Sequence, residues 1–220
     1  ENIVAEAEEL ARSGVKELIV IAQDITRYGL DCYGAHKLPE LLRKLCGISG
    51  IHWIRLHYLY PDEITAELID VVAAEKKILP YLDIPIQHCS DAVLKAMNRR
   101  GDKAYLAELF AWLRARIPGL VLRTSIIAGL PYEDEAAFEE LCDFLREQKF
   151  ERAGVFPYSP EEGTPAAAME NRVDEEEANR RVELLVDLQS RVMDEFNESW
   201  LGDTVEILCE GFDGQAQMYV

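Results

Sequence analysis

Apolar positions along this chain follow two periods in turn. Residues 1–13 place Ile3, Val4, Ala7, Leu10 and Ala11 on one stripe at helical spacing, and Gly14 follows as a natural C-terminal cap. Glu17 to Ala22 then reads E-L-I-V-I-A, a continuous apolar run that predicts a buried parallel strand. The alternation recurs. Strands are predicted over 53–59, 81–87, 121–128 and 153–156. Helices are predicted over 37–46, 65–77, 91–98, 103–116, 135–148 and 174–200, the last with an apolar stripe of Val182, Leu185, Leu188, Val192 and Phe196. After Gly202 the period shortens, with strand-like alternation over 204–209. A helix followed by five strand–helix repeats predicts an α/β architecture with a parallel sheet. Open doubly wound sheets and closed or partial barrels both fit, and in either case ligands bind beyond the C-terminal ends of the strands.

Those ends are polar. The first carries Gln23 and Asp24, the second His57 to Tyr60, and the third Gln87, His88 and Cys89. The fourth ends at Gly129-Leu130-Pro131, with Arg123 and Ser125 on one face of the strand before it. The fifth ends at Pro157-Tyr158-Ser159. Gln87 and His88 also read as a cap for the following helix. Arg123, set among Val121, Leu122, Ile126 and Ile127, calls for an anion or an acidic partner. After the fifth strand, Pro157, Pro160, Gly163 and Pro165 fix the shape of a loop whose apex is Glu161 and Glu162. Such a loop suits contact with a basic partner, although an ordinary strand-to-helix connection has the same parts.

Composition narrows the picture. At 220 residues the chain can bury one sizeable core. Its net charge of -18 repels nucleic acid and attracts basic partners. No apolar run is long enough for a membrane span, and the amphipathic opening is not a signal peptide. Five scattered cysteines without a C-x-x-C read as reduced thiols, which predicts a cytoplasmic protein. The chain opens on Glu1 rather than methionine, so the expectation is that further sequence precedes it.

Several chemistries find no support. There is no G-x-G-x-x-G, P-loop or H-E-x-x-H. His52 and His57 are five apart on one strand and face opposite sides. Cys89 beside His88 has no second ligand pair and reads as a packed thiol. An aldolase-like or phosphate-binding barrel lacks its strand lysine or glycine-rich phosphate loop. A non-catalytic acidic docking module has no need of polar strand ends.

Five blocks carry a resemblance. They are E-L-I-V-I-A-Q-D-I-T-R-Y-G (17–29), W-I-R-L-H-Y-L-Y-P (53–61), D-I-P-I-Q-H-C-S-D-A-V-L-K-A-M-N-R-R-G (83–101), R-T-S-I-I-A-G-L-P (123–131) and G-V-F-P-Y-S-P-E-E-G-T-P-A-A (154–167). In this order the chain resembles the radical S-adenosylmethionine methylthiotransferases. The resemblance implies a partial (β/α) barrel of the radical SAM type lacking its first strand. It divides the chain into a partial core domain without the cysteine-cluster loop (1–201) and the truncated start of a small β TRAM domain (202–220). Two branches of the family compete. One modifies a tRNA adenosine and typically carries S-x-R-P-G-T-P and Q-S-G-S. The other modifies an aspartate of ribosomal small-subunit protein twelve. S-P-E-E-G-T-P and Q-H-C-S here resemble the ribosomal-protein branch, and acids at the loop suit a lysine- and arginine-rich protein better than a phosphate backbone.

The resemblance further implies S-adenosylmethionine and two four-iron–four-sulfur clusters in the full-length enzyme. A cluster held by C-x-x-x-C-x-x-C makes a deoxyadenosyl radical, which takes a hydrogen from the aspartate β-carbon. That triplet is expected upstream of Glu1, so no metal is expected on this chain and the piece alone is expected to be inactive. By the same resemblance the cofactor meets Gln23 and Asp24 at its methionine end and Gln87 and His88 near the ribose. Arg123 and Ser125 meet its carboxylate or ribose, Ile127, Gly129 and Pro131 cradle the adenine, and Phe156 and Tyr158 wall the pocket. Glu161 and Glu162 dock the substrate, a basic ribosomal protein or the ribosome, with tRNA as the partner on the alternative reading.

Overall fold

The computed structural model describes residues 2–219. Helix α1 (Asn2–Arg12) leads into strand β1 (Glu17–Val20). There follow α2 (Leu30–Tyr33), α3 (Leu38–Cys46), β2 (Trp53–Leu56), α4 (Ala66–Ala74) and β3 (Ile78–Asp83). Next come α5 (Asp91–Ala96), α6 (Lys103–Arg116), β4 (Val121–Ala128), α7 (Glu135–Gln148) and β5 (Arg152–Pro157). The long α8 (Glu175–Glu198) closes this unit, and a small antiparallel pair, β6 (Phe212–Asp213) and β7 (Met218–Tyr219), follows. The first five strands pair in parallel in chain order. Sequential parallel strands joined by helical crossovers give the predicted α/β sheet and the partial-barrel arrangement.

The helices cover one face of the sheet. Strand β4 shows why, because burial alternates strictly along it: Leu122, Thr124, Ile126 and Ala128 are buried, while Val121, Arg123, Ser125 and Ile127 are half-exposed. The buried face joins Leu18, Ile54, Leu56 and Leu82 to Leu42, Leu45, Leu113 and Leu145 from the helices. Phe110, Phe144 and Phe150 meet beneath α6 and α7, with ring centroids 5.0–6.4 Å apart. Four helices start at side-chain caps, where Thr65, Asp102, Asp134 and Asp174 accept hydrogen bonds from first-turn amides.

Three expectations shift. The apolar run of β1 is buried on one face only, and Ile19 and Ile21 stand more than half exposed on the other. Strand β3 starts earlier than the periodicity places it and ends at Asp83, because Pro85 has no amide to donate and Gln87 takes a left-handed φ of 68°. Gln87 then rejoins β4 as an isolated bridge to Ile126. Residues 204–209 form no strand; the two-stranded pair lies further on, at β6 and β7.

Candidate functional site

The uncovered face of the sheet carries a chain of charges. Glu17 on β1 pairs with Arg55 on β2 at 2.6 Å, and the Arg55 guanidinium lies 4.8 Å from the Tyr81 ring centroid on β3. Asp83, at the end of β3, is fully buried and accepts from Arg123 Nη1 at 2.8 Å. The acidic partner that Arg123 calls for is therefore within the fold. His57 Nδ1 lies 3.8 Å from the other Asp83 oxygen, and neither that oxygen nor His57 Nε2 has a hydrogen-bond partner. Burial holds the His57 pKa below the ordinary imidazole value. The Asp83 charge opposes this shift, and Arg123 and Arg55 add to it. The environment therefore favours the neutral imidazole.

Toward the C-terminal ends the face changes character. Ser125 sits in register with Gly154, and Ile127 with Phe156. The Gln87 backbone inserts beside them, its amide donating to the Ser125 carbonyl and its carbonyl accepting from the Ile127 amide, both at 2.9 Å. Phe156 is 52% exposed, a large apolar surface facing out from a strand end. Ile127 and Tyr158 pack against Val93, Leu130 and Ala137, and the Tyr158 hydroxyl is buried without a partner. Tyr158 is tied to β4 by its amide, which donates to the Ala128 carbonyl at 2.8 Å. Gln23 is exposed beyond β1, whereas Asp24 turns back to accept from the Thr26 amide and hydroxyl. A cleft of about 540 Å³ opens here, shared by Gln23, Asp24, Tyr60, Asp62, Ile86 and Arg99.

Two of the expected contacts are taken up elsewhere. His88 is fully buried; its Nδ1 accepts from the Ser90 amide at 2.9 Å and its Nε2 lies 3.4 Å from Glu133. It belongs to a buried network and not to the open face. Gly129 has φ 82°, and a Cβ there would lie 2.5 Å from the Ala178 side chain of α8. Its freedom serves close packing of the turn against α8, rather than the approach of a ligand. Pro131 is buried in the same turn. Glu133 accepts from the Gly129 amide with both oxygens at 3.0 Å and from Arg181 Nη1 at 2.9 Å. Arg181, itself buried, also reaches Glu177 and Glu135. Burial raises the Glu133 carboxyl pKa, but the nearby His88 ring and the hydrogen bonds from Arg181 and Gly129 outweigh it and hold the group below its ordinary value.

Glu161 and Glu162 stand exposed in the loop after β5. The loop's shape comes from its own bonds: the Thr164 amide and hydroxyl donate to the Glu161 carbonyl at 3.2 and 2.8 Å, and Gly163 has φ 83°. The five cysteines lie apart, and among the described residues no group of three His, Cys, Asp or Glu side chains gathers to hold a metal. Burial pushes the Cys46 and Cys89 thiols up to about 11 and about 12, which keeps them protonated. These residues do not form a site for an iron–sulfur cluster.

Sequence reasoning missed Asp83, Glu133 and Arg181 as residues that support this face and its β4 turn. Asp83 carried a readable signal, a carboxylate inside the apolar run Y-L-D-I-P-I. Arg181 carried none, since an arginine on a long acidic helix reads as a solvated residue.

A model described as the radical SAM superfamily matches residues 1–145. The curated ribosomal protein uS12 methylthiotransferase RimO of Pelotomaculum thermopropionicum is 54% identical over 211 residues, covering 96% of this chain and 48% of that protein. RimO of Caldanaerobacter subterraneus subsp. tengcongensis is 48% identical over 213 residues, covering 97% and 49%. The chain thus spans about half the length of the curated relatives it matches. Among solved structures, the radical SAM enzyme coproporphyrinogen III oxidase (HemN) from Escherichia coli superposes with a TM-score of 0.65 at 16% identity, over 87% of this chain and 46% of that one. The radical S-adenosylmethionine methyltransferase TsrM from Kitasatospora setae superposes with a TM-score of 0.56 at 16% identity, over 70% and 29%. At this identity the superpositions speak to the fold.

Proposed function

The chain belongs to the radical SAM superfamily, and on that footing we propose that it is the central part of a methylthiotransferase acting on a ribosomal small-subunit protein. The target atom on this reading is the β-carbon of an aspartate. The observation that carries it is the likeness, at 44–54% identity over nearly the whole chain, to proteins named as ribosomal protein uS12 methylthiotransferases. The acidic loop at Glu161 and Glu162 and the net charge of -18 support a basic protein as partner. On the same reading the protein works in the cytoplasm, and residues 202–220 begin a TRAM domain.

S-adenosylmethionine fits the strand ends. Ile127 and Phe156 offer an apolar wall for the adenine, and the buried Tyr158 hydroxyl has a donor and acceptor to give. Ser125 and Gln87 lie beside them, suited to ribose hydroxyls, while Gln23 and Asp24 meet the amino-acid end across the cleft. When bound, the cofactor supplies the radical that the protein's own side chains cannot make. The chain's residues bind and orient it and keep water out. The Arg123–Asp83 pair holds the floor of this face in one arrangement. Glu133 and Arg181 hold the β4 turn that carries Ile127 toward the pocket.

The test is an anaerobic assay of the complete gene product reconstituted with iron and sulfide. Deoxyadenosine release stimulated by the ribosomal protein, with a methylthio mass added to one aspartate, is the expected result. Stimulation by tRNA instead would transfer the chain to the nucleic-acid branch. Absence of cleavage with either substrate would sink the proposal.

A further inference from the structure

Among the described residues, six besides glycine hold a left-handed backbone, with φ between 48° and 68°. Side chains rarely adopt this conformation, so each case calls for a local reason. Five have one. Lys149 is the C-cap of α7, and Gln217 lies in the turn between β6 and β7. Asn98 is of a residue type that tolerates the conformation. Tyr132 is the third residue of a turn with Pro131 second, closed where the Glu133 amide donates to the Leu130 carbonyl at 3.0 Å. Gln87 turns to rejoin β4 at its bridge to Ile126. Tyr58, two residues beyond the end of β2, has φ 59° and none of these reasons.

The backbone around Tyr58 is pinned on every side. The His57 amide donates to the Val20 carbonyl at 3.1 Å, the Tyr58 carbonyl accepts from the Ile25 amide at 3.1 Å, and the Leu59 amide donates to the Asp83 carbonyl at 2.9 Å. These bonds fix the kink whatever side chain stands there, and glycine would take it without steric cost. The backbone therefore does not explain the ring. Tyr58 is 38% exposed and set edge-on to the His57 ring, with centroids 6.3 Å apart. It does not line the cleft that Tyr60 shares with Gln23 and Asp24. Elsewhere the fold lays a guanidinium over its aromatic rings: Arg55 over Tyr81 at 4.8 Å, Arg99 over Tyr60 at 5.6 Å, Arg152 over Phe196 at 5.3 Å and Arg181 over Phe138 at 4.9 Å. Among the described residues no such cation covers Tyr58. A free aromatic face at a strand end, in a chain of net charge -18, suits a cation brought by a partner.

We propose that Tyr58 stacks on a lysine or arginine side chain that the basic partner carries near its modified residue, an inference that rests on the reading of that partner as a ribosomal protein. The pinned backbone holds the ring in place before the partner arrives, so little conformational freedom is lost on binding. Tyrosine also gives a large, stiff contact area for two rotatable bonds, which is why it recurs at the centres of interfaces. The acids of the loop after β5 attract the partner by charge. The ring at Tyr58 reads one of its residues and so sets which part of the segment lies over the strand ends. Tyr58 is a specificity residue and takes part in no bond that forms or breaks.

The complete reconstituted enzyme tests it through its affinity for a peptide spanning the target, with each lysine and arginine of the peptide replaced in turn by glutamine. Tyr58→Asn removes the ring and keeps a residue that accepts the left-handed backbone. One replacement is expected to weaken binding to the wild type roughly fivefold more than it weakens binding to Tyr58→Asn, the coupling of one stacked cation. Tyr58→Phe is expected to keep that coupling, since the ring face remains. Losses that add at every position of the peptide would overturn the inference while leaving peptide-stimulated cleavage by the wild type, and so the family reading, intact. A Tyr58→Asn protein that melts well below the wild type would also overturn it, because the ring would then be a packing group of the fold. A wild type that neither binds the peptide nor is stimulated by it would overturn the reading beneath the inference, and the inference with it.

Discussion

At the scale of single residues, the site is supported by groups whose neighbours leave them little choice. Gly129 combines a φ of 82° with a Cβ position 2.5 Å from Ala178. Gly129→Ala is expected to cost about 2–3 kcal/mol in urea unfolding, from backbone strain and overpacking together. Ala178→Gly in the same chain should recover part of that loss if overpacking costs more than the strained backbone. Glu133 is the second case. Its folded pKa is depressed, so it contributes stability that is present above the unfolded carboxyl value and is lost as pH falls through the folded one. Glu133→Gln should therefore cost about 3 kcal/mol at pH 7, because Arg181 keeps only its outer partners. It should also flatten the fall in stability below pH 5. An unchanged acid limb would show that Glu133 is not the group being titrated. Arg123 is legible in the sequence as an arginine needing an anion. Asp83 is legible too, as a carboxylate within an apolar run, but that pattern runs on past it and does not mark it as the residue where the strand ends.

At the scale of elements, hydrophobic period suffices for existence and order. Every helix and parallel strand lies within a few residues of its predicted place except the short α2, which the pattern does not show. What the period cannot see is the open face. A strand covered on both sides and one covered on a single side can both be written E-L-I-V-I-A, and only the placement of the helices tells Leu18 from Ile19. The end of β3 is set by Pro85 and by Gln87 in a left-handed conformation, neither of which alters the apolar pattern. The residues 204–209 alternate without a sheet to join, since alternation alone does not make a strand without a partner. Helix α8 shows the pattern working well. Leu185 is fully buried on its inner stripe, whereas Val186 next to it is 45% exposed. Leu185→Ala is expected to destabilise by about 2–5 kcal/mol, and Val186→Ala by less than about 1 kcal/mol. Equal losses would mean that α8 does not pack through this stripe.

At the scale of the whole molecule, the proposed docking of a basic protein turns on where the negative charge sits. The sheet positions its polar strand ends on one edge, and the loop that follows β5 holds Glu161 and Glu162 exposed, without any ion pair of their own among the described residues. A net charge of -18 extends the attraction outward, but only over about a Debye length, roughly 8 Å at physiological salt. The loop acids are therefore the part of the field that a docking protein meets at close range, whereas the remaining acids act diffusely. Reversing both, as Glu161→Lys with Glu162→Lys, should lower the association rate with the proposed partner, a basic ribosomal protein, about tenfold at low ionic strength. The gap should close as salt approaches about 1 M, where the Debye length falls to about 3 Å. Reversing two exposed acids near the other end of α8, Asp194 and Glu198, changes net charge equally and serves as the control. If that pair slows association as much, the loop has no special role and the partner responds to total charge alone. If neither pair matters, the acidic surface is a matter of solubility, and shape complementarity at the cleft carries recognition.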